Sequence, residues 1–174
     1  AMSTSCLALV GAGPLPELLL QRFSKDVADL RGSTQITAAM NDDPDAVLSD
    51  CTSRTGLLCL NGDAARLLPR GSSWLEALAD WRMPTLLLAL ADADGEMPGH
   101  AAAHAALCRQ LHVPLVGLVQ LQGHWDASAR RRDGLPWYGW VPDTDHPRHE
   151  DGLDALVERI SRGRFTGQVA RAAV

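Results

Sequence analysis

Only one lysine, Lys25, occurs among the 174 residues, and it lies in Phe23-Ser-Lys-Asp26 with no glycine before it. A P-loop needs a lysine beside its second glycine to reach the β and γ phosphates, and then Ser or Thr for magnesium. A working P-loop NTPase is therefore excluded. Positive charge is scarce throughout: 16 Lys and Arg stand against 21 Asp and Glu, for a net charge of -5. Nucleic-acid backbones demand clustered positive charge, so no nucleic-acid partner is expected. The one basic run, Arg130-Arg131-Arg132, stands beside Asp126 and Asp133 and reads as a solvated loop. No apolar run reaches the roughly 18 residues that span a bilayer, so no membrane association is expected. No basic segment leads into a signal-type apolar stretch near the N-terminus. Ala1 reads as an addition ahead of Met2.

Cysteine is also sparse. Cys6, Cys51, Cys59 and Cys108 form no CxxC pair, and three lie in or beside apolar segments. Buried free thiols fit this better than a disulfide framework or a zinc site. A reducing cytoplasm is the expected location.

What is present is a regular alternation of short apolar runs with helical patterns. The strand candidates are Cys6–Val10, Gln35–Met40, Gly56–Leu60, Thr85–Leu90, Leu115–Leu121 and Trp137–Val141. Between them, Leu15, Leu18, Leu19, Phe23, Val27 and Leu30 repeat at helical spacing up to Gly32. Asn41-Asp-Asp43 before Pro44 and Ser72-Ser73 before Trp74 supply helix starts. An alanine-rich helix is expected from about Pro98 to Leu111, and an amphipathic one from about His149 to Arg162. Residues 122–133 read as a polar stretch. Unbroken apolar strands separated by helices indicate a sheet covered on both faces. The expectation is one α/β domain over residues 2–165, a three-layer, doubly wound, mostly parallel sheet of about six strands. Residues 166–174 read as a frayed tail.

The most suggestive local feature is Gly11-Ala12-Gly13, where a strand runs into a helix. Such a turn can hold an anion through free N–H groups and the helix dipole. Pro16 replaces the third glycine of the dinucleotide fingerprint, and Pro14 and Pro16 remove two donors. The stretch Val10-Gly-Ala-Gly-Pro14 is similar to the start of tetrapyrrole methyltransferases, which implies S-adenosylmethionine binding. The alternative functional reading is thus a cofactor-dependent enzyme, using S-adenosylmethionine or a dinucleotide at this turn.

The second half resembles another family. Met83-Pro-Thr-Leu-Leu-Leu-Ala-Leu90, the helix ending Cys108-Arg-Gln-Leu-His112, Val113-Pro-Leu-Val-Gly-Leu-Val-Gln120 and Leu135-Pro-Trp-Tyr-Gly-Trp-Val-Pro142 follow one another. This order, over roughly residues 83–160, looks like the second half of dethiobiotin synthetases and MinD/ParA-type ATPases. The resemblance implies an adenine pocket in which Gln120 or Gln122 takes the place of an Asn and Pro142 matches a loop proline. The lysine-bearing phosphate loop is replaced by Gly11-Ala-Gly-Pro14. The favoured reading is a degenerate relative acting by protein association, most simply as a homodimer, or by small-ligand binding. Its expected site residues are Gly11, Gly13, Asp92, Asp94, Gln122 and Pro142, at the strands' C-terminal edge.

Other groups carry weaker chemistry. His100 and His104, at i, i+4, could share a helix face as paired metal ligands, but no HExxH glutamate lies between them. With Asp92 and Asp94 they would make a metal-dependent hydrolase; otherwise they are polar residues on an alanine-rich helix. Asp92-Ala-Asp-Gly-Glu96 lacks the distal glutamate of a calcium loop and reads as a polar turn. No Gly-x-Ser-x-Gly elbow exists. Five tryptophans accompany only two phenylalanines and one tyrosine. Trp125, Trp137, Tyr138 and Trp140 either anchor a ligand or partner, or pack a loop onto the core.

Overall fold

Strands made of unbroken apolar residues are stable only between two covering layers, and this chain builds both. The computed structural model describes residues 6–54 and 56–163; the expected tail over 166–174 lies outside them. In chain order the elements are β1 (Leu7–Gly11), α1 (Glu17–Arg31), β2 (Gln35–Ala38), α2 (Pro44–Arg54), β3 (Leu57–Leu60) and α3 (Trp74–Asp80). They continue with β4 (Thr85–Leu90), α4 (His100–Leu111), β5 (Leu115–Leu121), α5 (Ala127–Arg132), β6 (Trp137–Val141) and α6 (His149–Arg162). The sheet order is β2-β3-β1-β4-β5-β6, and every neighbouring pair is parallel. The expected doubly wound α/β architecture is the one observed.

The connection leaving β1 runs one way along the sheet, and every later connection runs the other way. Right-handed crossovers then place α1 on one face and α2, α3 and α4 on the opposite face. Side-chain alternation along β1 matches this. Leu7 and Leu9 join Leu20, Phe23 and Val27 of α1 and Leu153, Leu156 and Ile160 of α6. Ala8 and Val10 join Leu48 of α2, Trp74 and Leu78 of α3, and Ala101 and Ala105 of α4.

Local signals set several boundaries. Gly32 ends α1 in the left-handed conformation, and Ser73 with Glu76 forms a complete capping box at α3. Pro16 takes the N-cap of α1, which begins at Glu17 and not at Pro14.

Three expectations need correction. Cys6 and Cys51 are joined as a disulfide, with Cα atoms 6.3 Å apart. The start of β1 and the end of α2 meet on one sheet face, which no local spacing reveals. Cys59 and Cys108 are buried free thiols, as expected. The cytoplasmic expectation rested on four free thiols and loses that support; among the described residues no helix is long and apolar enough to cross a membrane. Second, the polar stretch contains α5, whose start is capped by Asp126 accepting from Ala129 N–H. That bond holds the Asp126 carboxyl below its ordinary range. Third, Arg130 is not a solvated loop residue. It is buried, with Nη1 3.4 Å from Gln120 Oε1, Nε 3.3 Å from Asp133, and its guanidinium 5.2 Å from the Trp137 ring centre.

The edge strand β6 is closed in two ways. Its register with β5 shifts between Leu118 and Val119, which places a bulge at Tyr138. The Arg159 guanidinium of α6 stacks 4.0 Å over the Tyr138 ring and donates to the Tyr138 carbonyl at 2.6 Å, and the Tyr138 hydroxyl donates to the Arg159 backbone carbonyl at 3.0 Å. Bulges and charged side chains of this kind hinder pairing with another strand.

Candidate functional site

In an open parallel sheet, ligands bind beyond the strands' C-terminal ends, where neighbouring connections turn to opposite faces. Here that point is β1, whose connection turns to the α1 face while those of β3 and β4 turn to the other. Gly11, Gly13, Asp92, Asp94, Gln122 and Pro142 all lie at or just beyond strand ends, but the fold divides them into three groups.

The glycine turn is filled by protein. Gly13 has φ +99°, and a Cβ there would lie 2.9 Å from both Cβ and Cγ of His100. A Cβ on Gly11 would lie 2.9 Å from the Gly13 carbonyl oxygen and 3.1 Å from Leu15 Cδ1. Ala12 N–H already donates to the Leu88 carbonyl at 2.8 Å. Pro14 and Pro16 offer no donor, and Glu17 already supplies negative charge at the start of α1. The glycines have a packing explanation, since α4 begins directly against Gly13 and the turn folds back with Leu15 onto Gly11.

The acidic loop is a self-contained turn. Asp92 accepts from Glu96 N–H through its side chain at 2.8 Å, and its carbonyl accepts from Gly95 N–H at 2.9 Å. Gly95 and Gly123 are the points of closest approach between this loop and the one after β5: Cβ atoms there would meet the His124 and Asp92 carbonyl oxygens at 2.1 and 2.3 Å. Asp92 and Asp94 are exposed. His104 is buried, with Nδ1 2.8 Å from the His100 carbonyl and Nε2 3.4 Å from Asp63 Oδ1. His100 and His104 therefore serve different contacts, and the described residues hold no group of three or more His, Cys, Asp or Glu placed to bind a metal.

Gln122 and Pro142 do come together. They line a cavity of about 260 Å³ bounded by α1, the ends of β5 and β6, and the start of α6. Its apolar wall is formed by Leu19, Phe23, Leu121, Val141 and Leu153. Its polar groups are Arg22 and Asp26 from α1, Gln122, Asp143 and Thr144 from the loops, and His149 from α6. The volume lies just below the ~300–1,000 Å³ common for small-molecule sites, and the mix of apolar walls with a few polar groups is typical of them. Gln122 has φ +63°, a left-handed conformation that costs a non-glycine residue about 1–3 kcal/mol. Among the described residues, the other two non-glycine residues with positive φ, Arg82 and His112, follow helix ends, where that conformation is usual. His149 Nδ1 lies 2.8 Å from the Pro142 carbonyl; Nδ1 therefore donates, which fixes the ring at the cavity wall.

Of the two glutamines left open by the resemblance, only Gln122 lines this cavity. Gln120 is fully buried, donates to the Gln122 and His124 carbonyls at 3.0 Å each, and accepts from Arg130. It holds the loop in shape. The tryptophans act similarly. Trp125 stacks on Trp140 and meets Trp137 edge-on, and Trp140 Nε1 donates to the Gly123 carbonyl at 3.2 Å. They pack the loop after β5 onto the sheet.

Arg22, Asp26, Asp143 and Thr144 were not singled out from the sequence, and Phe23 and Leu153 only as apolar positions of their helices. The signal for Arg22 and Asp26 is that Leu18, Arg22 and Asp26 form an i, i+4, i+8 row beside the buried row of α1. Neither free thiol is poised as a nucleophile. Burial pushes Cys108 up to about 11 and raises Cys59, although the Ser24 hydroxyl works in the other direction. Protein-family models give no match to the chain, and curated proteins give none either.

Proposed function

We propose that this chain is a P-loop-NTPase-like α/β protein that has lost phosphoryl transfer and binds a small organic ligand in the cavity between α1 and α6. The observation that carries this reading is the cavity itself, lined by Gln122 and Pro142. The resemblance to dethiobiotin synthetases and MinD/ParA-type ATPases assigns Pro142 and one of Gln120 or Gln122 to the adenine pocket, and Gln122 is the glutamine that lines the cavity. The strained backbone of Gln122 supports it, since such strain persists where the surroundings hold it for a purpose. Phosphate binding is the part given up: the single lysine stands within α1 and the glycine turn is packed by His100 and Leu15.

Association fits the same surface. Leu18 lines the cavity and is 80% exposed, so a second copy of the chain or another protein docking there would cover the ligand. Sedimentation of the protein and of Leu18→Asp tests this: a dimer that the substitution converts to monomer supports it.

A thermal-shift panel with adenosine, ATP, NAD, S-adenosylmethionine and small amphipathic compounds tests the ligand reading. A ligand at ~100 times its Kd stabilises by about 2.7 kcal/mol, and each kcal/mol moves Tm by roughly 2–4 °C in a domain of this size. Leu153→Trp, which fills the cavity, is expected to abolish the shift. A shift with NAD or S-adenosylmethionine that survives Leu153→Trp but vanishes in Gly13→Asp would replace this reading with a cofactor enzyme at the glycine turn.

A further inference from the structure

The cavity's charged groups narrow the ligand class, an inference that rests on the cavity being a ligand site. On α1, Lys25 and Asp29 are four residues apart and form an ion pair at 2.9 Å. Arg22 and Asp26 have the same spacing, order and helix, and both line the cavity, yet no ion pair or hydrogen bond joins them among the described residues. Asp143, on the loop after β6 and exposed like Arg22, is not bridged to Arg22 either, and no described residue pairs with its carboxylate. Gln122 and Thr144 bring an amide and a hydroxyl whose side chains have no hydrogen-bond partner among the described residues.

A guanidinium and a carboxylate on α1, a second carboxylate on the loop after β6, and the apolar lining of Phe23, Leu121, Val141 and Leu153 make a site with both signs of charge. A plain anion would meet Arg22 but also two carboxylates. A plain cation would meet the carboxylates but would be repelled by Arg22 and gain nothing from it. A molecule carrying both charges with an apolar body satisfies both poles, because each charge-assisted hydrogen bond is the strong kind and the body removes apolar surface from water. We infer that the cavity takes a zwitterion of the apolar α-amino-acid class, its carboxylate on Arg22, its ammonium on Asp143 with Asp26 nearby, and its side chain on Phe23, Val141 and Leu153.

The test is titration of the whole protein with L-leucine and L-phenylalanine, followed by calorimetry and by amide-resolved NMR. Leucinamide and N-acetyl-leucine, which each lack one charge, are expected to bind at least about tenfold more weakly than leucine. Arg22→Ala should weaken leucine by a similar factor while leaving leucinamide unchanged, and Asp143→Asn should do the converse with N-acetyl-leucine. If both derivatives bind as well as leucine, the inference is overturned. It is also overturned if the amino acids fail while an uncharged or purine compound binds and is excluded by Leu153→Trp, although the cavity reading then survives. Should no compound perturb the cavity residues, both fall together.

Discussion

The two halves of the sheet's C-terminal edge make a natural comparison. Around β1 and β4 stands the glycine turn, the feature with the more suggestive sequence; around β5 and β6 stands a loop with no recognisable motif. The space beside Gly11 and Gly13 belongs to Leu15 and His100, whereas α1 and α6 leave a cavity between Gln122 and Pro142. Glycine permits close approach, and whatever reaches the position first makes that approach. At β1 the first arrival is the start of α4. At β5 and β6, the covering helices carry Arg22, Asp26 and His149 at the mouth, and the space stays open.

This contrast can be broken at several points. The largest effect is expected at the end of β1 away from the glycine turn, where Cys6–Cys51 ties the strand to α2. Cys51→Ser, or reductant, should cost ~2–4 kcal/mol in urea denaturation, with ligand binding at the distant cavity retained. Gly13→Ala should cost about 2 kcal/mol, from its left-handed φ and the collision with His100. Adding His100→Gly, which removes both the Cβ and the ring that the new methyl meets, should restore only the steric part, and full recovery would show that backbone conformation was not the constraint.

Alkaline pH should act on the same side through Cys108, on α4. Its thiol rises from an ordinary 9.0 to about 11 through burial. Between those values the unfolded chain gives up a proton that the folded chain keeps. Stability is then complete below pH 9 and falls as pH rises toward 11, by on the order of 2 kcal/mol. Cys108→Ala should flatten much of that slope in denaturation measured across the range.

On the cavity side the signs change. Gln122→Gly relieves the left-handed strain and should gain up to about 1 kcal/mol while weakening ligand binding. A loss of stability would mean that the Gln122 side chain is structural. Arg22→Ala should move stability by less than ~0.5 kcal/mol, leaving its effect confined to binding.

The legible part of the fold was the part that local residues decide. The apolar runs of β1, β4 and β5, the Ser73–Glu76 capping box and Gly32 each carry their own signal. Helix α5 did not, because six mostly polar residues show no apolar period and its buried member is an arginine. The disulfide and the cavity were hidden for a shared reason. Cys6 meets Cys51, and Phe23 meets Leu153, only after strands have been ordered and helices assigned to faces. Gln122 and Pro142 were reachable through resemblance; Arg22 and Asp143 were not.

The bond between Cys6 and Cys51 also makes residues 6–51 a covalent ring that contains β1, α1, β2 and most of α2. A tryptic cut after the exposed Lys25 would open that ring without releasing either piece. Nicked protein would migrate as one species until reductant is added and as two afterwards. The helix that walls the cavity could thus be severed and still remain fastened to the rest of the molecule.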